Sequence, residues 1–147
     1  MKRIILLFVA VMTIASTLNA QSKKFVFFEH FTQASCGPCA SQNPSFELVR
    51  AQNLSNVHHL AYHTSWPGTD PMNSINPSPV QDRVDYYGVS GVPSMHIGKA
   101  WSGQPGSASS ALISSVASIS APIEIAVEHL NLGDGTFIAN VTVNETG

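Results

Sequence analysis

Aromatic, β-branched and polar residues alternate in blocks along the chain, and these blocks predict a series of short secondary-structure elements. Residues 25–31 are rich in phenylalanine, which is typical of a largely buried strand. After Cys39, the segment up to residue 53 has an apolar side and a polar side at helical spacing. Pro44 should kink this helix or delay its regular part. Residues 57–62 predict a second strand.

The second half of the chain begins with a long segment of unusual composition. Residues 64–79 are dense in proline, asparagine, serine and glycine, and loops of this length are uncommon unless they are functional or disordered. We predict a short helix at about residues 80–87 and a third strand at residues 94–97. Between residues 107 and 120, apolar residues recur at helical spacing among many serines, which predicts an amphipathic helix.

The last part of the chain predicts a β-hairpin. Pro122 ends the helical pattern, and residues 123–128 then alternate as a strand does. Asp134-Gly135 predicts the turn before a return strand at residues 137–143. We therefore divide the chain into a leader at residues 1–20, a main domain at residues 21–121 and a hairpin extension at residues 122–147.

The leader has the build of a secretory signal peptide. Lys2 and Arg3 precede an apolar run at residues 4–14, and Ala20 stands at a suitable cleavage site. The run is too short to span a bilayer, so we expect no transmembrane span in the mature chain. Without Lys2 and Arg3, five basic residues remain against nine acidic ones, so the net charge changes from -2 to -4. This balance argues against nucleic acid as a partner.

The chain contains two cysteines, Cys36 and Cys39. Paired cysteines in exported proteins are usually structural, but a bridge across so short a loop restricts the unfolded chain little. A strand followed by Cys-x-x-Cys and a helix places the first sulfur at the helix N-terminus, where free N–H groups and the dipole favour a thiolate. We therefore predict Cys36 as the exposed attacking thiol and Cys39 as the more buried resolving thiol. Beyond this redox-active disulfide we expect no cofactor.

Two other interpretations of the cysteines stay open, a structural disulfide and half of a metal site. The chain offers His58, His59, His63 and His96 as further ligands, but they lack the usual spaced Cys/His pattern. His59 and His63 would share one side of a strand and His58 would lie on the other. We therefore predict no metal site.

Two motifs resemble those of thioredoxins. Cys36-Gly37-Pro38-Cys39 is identical to the thioredoxin active-site motif, and Pro44 stands where thioredoxins carry a kinking proline. Residues 87–94 resemble the thioredoxin segment that ends in an aliphatic residue, a cis-proline and a small hydroxyl residue. The resemblance covers roughly residues 25–120. It implies an α/β thioredoxin-like fold, with a central mixed sheet flanked by helices, followed here by the C-terminal β-hairpin extension.

The resemblance also implies roles for individual residues. Gly37 and Pro38 would support the active site between the cysteines. Pro93, as the cis-proline, would face the cysteines and shape a groove, in which the backbone of Val92 would bind substrate. We expect the loop that carries Trp66 to contact a substrate or partner as well.

Thioredoxins carry a buried acid beneath the resolving cysteine, which moves protons during exchange. Counting back from Cys36 puts His30 at that position. If the loop before Cys36 is one residue longer than usual, Glu29 would supply a carboxylate instead. A solvated position at the end of the strand is the alternative for either residue.

The chain also departs from the thioredoxin pattern. The usual first strand and helix are missing, residues 64–79 lengthen the spacing between the motifs, and Ser35 replaces the usual aromatic residue before the first cysteine. With its leader, the opening Glu29-His30-Phe31-Thr32, the loop of residues 63–72 and its β-rich tail, the chain resembles thioredoxin-like, outer-membrane-related proteins of Bacteroidetes that carry a C-terminal β domain. This implies a periplasmic, outer-membrane-associated or secreted location, with residues 123–143 as the opening hairpin of a β domain that is not completed here.

The sequence thus predicts an enzyme, an exported thiol–disulfide oxidoreductase. Its expected partners are exported proteins with thiols or disulfides and a further redox protein. The direction of exchange stays open between reduction, oxidation and isomerisation. Two alternatives are a surface or binding module whose disulfide is not catalytic and a metal carrier that uses the cysteines with a histidine.

Overall fold

The computed structural model of the protein describes residues 22–146, so the leader predicted at residues 1–20 lies outside the described residues. The described chain falls into two units. One unit is Phe25–Ile119, and the other contains the chain from Ser120 onward. No helix between residues 22 and 146 is long and apolar enough to cross a membrane.

Strands and helices succeed one another along Phe25–Ile119. In chain order they are β1 (Val26–Thr32), α1 (Gly37–Gln52), β2 (Val57–His63), α2 (Pro71–Ile75), α3 (Pro77–Tyr87), β3 (Ser94–Ile97), β4 (Trp101–Gly103), a 3-10 helix (Pro105–Ser107) and α4 (Ser110–Ala117). Strand β3 has the predicted limits, and β1, β2 and α4 differ from theirs by a few residues. Strand β4 was not predicted.

The four strands form one mixed sheet in the order β2-β1-β3-β4. Strand β1 pairs in parallel with β2 and antiparallel with β3, and β3 pairs antiparallel with β4. Residues of α1 and α4 join the core on one face, and residues of α3 join the core on the other. The predicted α/β class, with a mixed sheet flanked by helices, is confirmed.

Strand β1 contributes side chains to both cores because neighbouring residues of a strand point to opposite faces. On one face Phe28 packs edge-to-face on Phe46 of α1, with ring centroids 5.3 Å apart. On the other face Phe31 packs with Val80 and Val84 of α3. Full burial of one such ring contributes about 1.5–3 kcal/mol. Strand β1 is therefore fixed on both sides, and with it the segment that leads to Cys36.

The segment predicted as a long loop contains helical turns. The side chain of Asp70 accepts the N–H groups of Met72 and Asn73, and Pro71 takes the first helical position, so α2 begins here. Pro77 likewise takes the first helical position of α3, but Asn76 before it makes no side-chain cap, and the helix begins earlier than the predicted residue 80. The loop prediction for residues 64–79 is therefore wrong from residue 71 onward.

The chain after Ser120 forms an antiparallel hairpin of β5 (Ile123–Asn131) and β6 (Phe137–Glu145). The predicted hairpin is confirmed, with strands longer than expected. Ile125 lies opposite Val143 and Val127 opposite Val141, so these four residues share one apolar face. All four side chains are exposed.

Candidate functional site

A disulfide joins Cys36 and Cys39 at the start of α1. Cys36 is the N-cap residue, and its sulfur accepts a hydrogen bond from the backbone N–H of Cys39 at 3.1 Å. Gly37 and Pro38 form the first turn, where proline fits because no helical N–H is needed, and both are exposed. The sequence predicted a helix that starts after Cys39. The observed helix begins earlier, at Gly37, so this predicted boundary is wrong.

Both cysteines are buried in the disulfide form. Cys36 is 5% exposed and Cys39 is 1% exposed. The expectation of an exposed Cys36 is therefore wrong for this form, although Cys36 is the more accessible of the two. Part of the cover is Val92, whose carbonyl oxygen lies 3.6 Å from the sulfur of Cys36.

The segment around Pro93 lies beside the disulfide. The Val92–Pro93 peptide bond is cis and Val92 contacts Cys36, so this prediction is confirmed. Pro93 borders a groove of about 460 Å³ that is lined by residues 87–94, His96 and residues 102–104. Val92 and Trp66 both pack against the core around Phe31, where Trp66 is half-buried. Contact of Trp66 with a substrate stays a prediction.

A cavity of about 330 Å³ lies beside the disulfide, between α1 and the sheet face that carries His30. It is lined by His30, Thr32, Gln33, Ala34, Cys36, Cys39, Ala40, Asn43, Glu47, His59, Ala61 and His63. Its lining therefore includes both cysteines and three histidines.

His30 and Glu29, the two candidates for the proton carrier, lie on opposite faces of β1. His30 is 3% exposed and lines the cavity with both cysteines. Burial, followed by the charge of His59, lowers the pKa of His30 to about 4. The structure thus brings His30 to the position that the resemblance implied, with a neutral imidazole.

Glu29 belongs to a separate cluster beneath α3. Its carboxylate accepts hydrogen bonds from Arg83, Tyr62 and Tyr87. Burial alone would raise the pKa of Glu29, but these hydrogen bonds and the charge of Arg83 lower it. Since neighbouring residues of a strand face opposite ways, the structure does not bring Glu29 to the cysteines. We assign it a structural role.

Sequence reasoning considered His59 and His63 only as possible metal ligands, and the structure places both in the lining of the cavity. Both lie on the face of β2 that the alternation assigned to them. The parallel register with β1 then brings His59 beside His30, with 3.3 Å between His59 Nε2 and His30 Nδ1. Burial lowers the pKa of His59. The signal available in the sequence was the spacing of the two histidines on one predicted strand.

A second missed feature is the cluster formed by Asp70, Ala34 and His63, which we call the Asp70 cluster. One carboxylate oxygen of Asp70 accepts the N–H of Ala34 and faces Nδ1 of His63, each at 2.8 Å. Burial alone would raise the pKa of Asp70, but hydrogen bonds from His63 and from three backbone N–H groups lower it to about 2. An ionised Asp70 thus ties the segment before Cys36 to the start of α2.

Gln33 makes a further connection between the same two segments. Its amide donates to the carbonyl of Thr69 at 3.2 Å, and its side-chain oxygen accepts from the N–H and the hydroxyl of Ser35. A Cβ atom at Gly68 would lie 2.6 Å from the Ser35 hydroxyl, so glycine permits this close approach. The residue before Cys36 is therefore held by the loop that precedes α2.

Residues 22–146 contain no group of three or more histidine, cysteine or acidic side chains arranged to hold a metal ion.

Comparisons with known proteins bear on the fold. No protein-family model matches the chain, and no curated protein matches it. Among solved structures, HBP35 of Porphyromonas gingivalis superposes with a TM-score of 0.52 at 19% sequence identity. The match covers 74% of this chain and spans only 38% of the length of that protein. At this level of identity, the likeness is one of fold alone.

Proposed function

We propose that the protein is an exported thiol–disulfide oxidoreductase that acts on extracytoplasmic proteins through Cys36 and Cys39. The observation that carries the proposal is the disulfide at the start of α1, with the N–H of Cys39 directed at the sulfur of Cys36. A thiolate at Cys36 gains from this N–H and from the helix dipole. The neighbouring carbonyl of Val92 offers a backbone acceptor for a bound peptide.

The proposed reaction exchanges two electrons in two displacement steps. In the reductive direction, the Cys36 thiolate attacks one sulfur of a substrate disulfide, and the other substrate sulfur leaves as a thiolate that takes up a proton. Cys39 then loses its proton and attacks the sulfur of Cys36. This step forms the Cys36–Cys39 bond, breaks the mixed disulfide and releases the second substrate thiol. The reverse sequence oxidises a dithiol.

His30 is the group placed to receive the proton of Cys39. It lines the same cavity as Cys39, and its imidazole is neutral because burial lowers its pKa. A neutral imidazole can accept a proton, whereas an imidazolium cannot. His30 thus takes the place of the buried acid in the thioredoxin resemblance.

Export and the class of partner rest on the sequence of residues 1–20, which has the build of a signal peptide. A disulfide persists in the oxidising compartments outside the cytoplasm, and the Cys36–Cys39 pair is compatible with that setting. The expected substrates are exported proteins with thiols or disulfides, served by a second redox protein. Periplasmic, outer-membrane-associated and secreted locations all fit this proposal.

A binding module with a permanently closed disulfide is the second candidate. The burial of both cysteines favours it, because a buried sulfur is a poor target for an incoming thiol. In that case the groove beside Pro93 would hold a partner and no electrons would be exchanged.

Cysteine variants separate these two functions. We expect Cys39→Ser to accumulate covalent adducts with exported proteins that a reductant removes, because the mixed disulfide on Cys36 cannot be resolved. Cys36→Ser should form almost none and should lose insulin reduction. A double variant, Cys36→Ser with Ser114→Cys, supplies an ordinary exposed thiol on α4 as the control. If Cys36 and Cys39 of the reduced wild type are alkylated equally near neutral pH, and no adducts are trapped, the binding module is favoured.

A further inference from the structure

We propose that His59 is the outlet of a two-imidazole proton relay, in which His30 takes the proton of Cys39 and His59 passes a proton out of the cavity. The inference rests on the proposed function, because a relay is needed only if Cys39 loses a proton during exchange. It adds a functional residue on β2, outside the Cys-x-x-Cys segment and the segment around Pro93.

The parallel pairing of β1 and β2 brings the two imidazoles together. His30 lies opposite Ala61 and His59 lies opposite Phe28, so both histidines occupy the same sheet face one step apart. The 3.3 Å between His59 Nε2 and His30 Nδ1 is within hydrogen-bond reach. Phe46 of α1 packs edge-on against both rings, with centroid distances of 4.9 Å to His59 and 5.9 Å to His30. The ring of Phe46 on α1 therefore fixes the position of both imidazoles against the sheet.

The other ring nitrogen of His30 is buried and has no hydrogen-bond partner among the described residues. Buried polar atoms nearly always have a partner, so an unpartnered nitrogen beside a disulfide calls for an explanation. When Nδ1–H of His30 donates to His59, Nε2 carries a lone pair. That lone pair is a base on a residue that lines the same cavity as Cys39.

His30 alone cannot hold the proton of Cys39 in this buried environment. Burial and the charge of His59 lower the pKa of His30, so a lasting positive charge on His30 is unfavourable. His30 can accept a proton at Nε2 only if it gives up the proton on Nδ1. His59 accepts that proton at Nε2 and, being partly exposed, releases another to solvent.

Titratable and charged groups on β2 and on α1 surround the pair of imidazoles. The titratable and charged groups that face it are His63 on β2 and Cys39, Glu47 and Arg50 on α1. Burial lowers the pKa of His59, the charge of Glu47 raises it, and the charge of Arg50 lowers it again. The charge of Glu47 raises the pKa of His30 as well, so it partly offsets the cost of a proton on either imidazole.

The relay keeps atoms and charges in balance. As the sulfur of Cys39 bonds to Cys36, the substrate sulfur leaves with the electron pair of the mixed disulfide. The proton of Cys39 passes to Nε2 of His30, and a proton moves from Nδ1 of His30 to Nε2 of His59. One proton leaves His59, and both imidazoles end neutral with exchanged tautomers. The opposite half-reaction runs the transfers backwards and restores the original tautomers.

Stopped-flow mixing of the reduced full chain with one equivalent of 5,5′-dithiobis(2-nitrobenzoate) separates the two thiol steps. The first release of the coloured thiolate reports attack by Cys36, and the second reports resolution by Cys39. We expect His59→Phe to leave the first release unchanged and to slow the second on the order of 10²-fold, the scale of general acid–base catalysis. The second rate should then rise tenfold per pH unit, because hydroxide must take the proton.

His58→Phe is the matched control, since His58 is an exposed residue of the same strand on the opposite face. His59→Ala should regain the second rate when imidazole is added, which a merely structural role would not produce. Equal second rates in His59→Phe and His58→Phe overturn the relay, as does equal slowing of both releases without rescue by imidazole. If the wild type shows neither release, the proposed function itself fails.

Discussion

Asp70→Asn tests whether an ionised carboxylate fixes the segment before Cys36. Asparagine has the same shape and is also a good N-cap, so the carbonyl oxygen can still accept the N–H groups of Met72 and Asn73. What changes is the atom opposite Ala34, because an NH₂ group there meets the N–H of Ala34 donor to donor. The substitution therefore removes the connection to Ala34 and keeps the start of α2.

The lowered pKa of Asp70 gives the expected loss of stability. The carboxyl is 2% exposed, and its pKa is lowered from 3.8 to about 2. At about 1.4 kcal/mol per pKa unit, the folded state favours the ionised form by about 2.5 kcal/mol. Because the folded-state pKa is the lower one, this stabilisation is fully present above pH 3.8 and is lost as the pH falls through about 2.

The measurement is urea unfolding followed by tryptophan fluorescence, at constant ionic strength and at several pH values. At pH 7 we expect Asp70→Asn to lower the free energy of unfolding by about 2.5 kcal/mol, which corresponds to a decrease in Tm of about 10 °C. The difference from wild type should shrink towards pH 2. Asp82→Asn, at an exposed position on α3, is the control and should stay within about 0.5 kcal/mol of wild type. Equal stability of Asp70→Asn and Asp82→Asn at pH 7 would refute the reasoning.

Three further predictions concern the rest of the fold. Arg83→Met should lower the free energy of unfolding in urea by about 2–3 kcal/mol and raise the pKa of Glu29, because the buried carboxylate loses its cation. The loss stays moderate because Arg83 itself is one third exposed. Phe46→Ala should cost about 3–5 kcal/mol in thermal unfolding, since it opens a cavity beside Phe28, and Leu48→Ala, at an exposed position of α1, should cost far less. Removing residues 120–147 should leave insulin reduction unchanged, because both cysteines lie in the other unit; loss of the folded circular-dichroism spectrum would contradict this.

Local patterns predicted the elements that have enough residues to show a period. Strand β3 and the hairpin of β5 and β6 were found because their alternation is clear. Strand β4 has only three residues, and it exists because Met95–Ile97 pairs with it, which no local pattern can show. The starts of α2 and α3 were within reach of sequence reasoning, since Asp70-Pro71 and Asn76-Pro77 both place proline in a first helical turn.

The candidate site was predicted only as far as its motifs extend. Cys36, Cys39 and Pro93 stand in recognisable segments, and their proximity followed from the thioredoxin resemblance. The contact of Asp70 with Ala34 and that of His59 with His30 join distant parts of the chain, so they depend on how the strands and loops pair. For the same reason, the choice between His30 and Glu29 needed the observed faces of β1.

The register between β1 and β2 has a consequence for insertions and deletions in the turn of residues 53–56, which connects α1 to β2. Changing this turn by one residue would slide β2 one place along β1 and turn every side chain to the other face. His58 and Tyr62 would then face the disulfide, while His59 and His63 would lie on the side of α3. A change of two residues would preserve the faces and displace the histidines along the strand by one pleat. We therefore expect related chains that keep the chemistry to vary the length of this turn in steps of two.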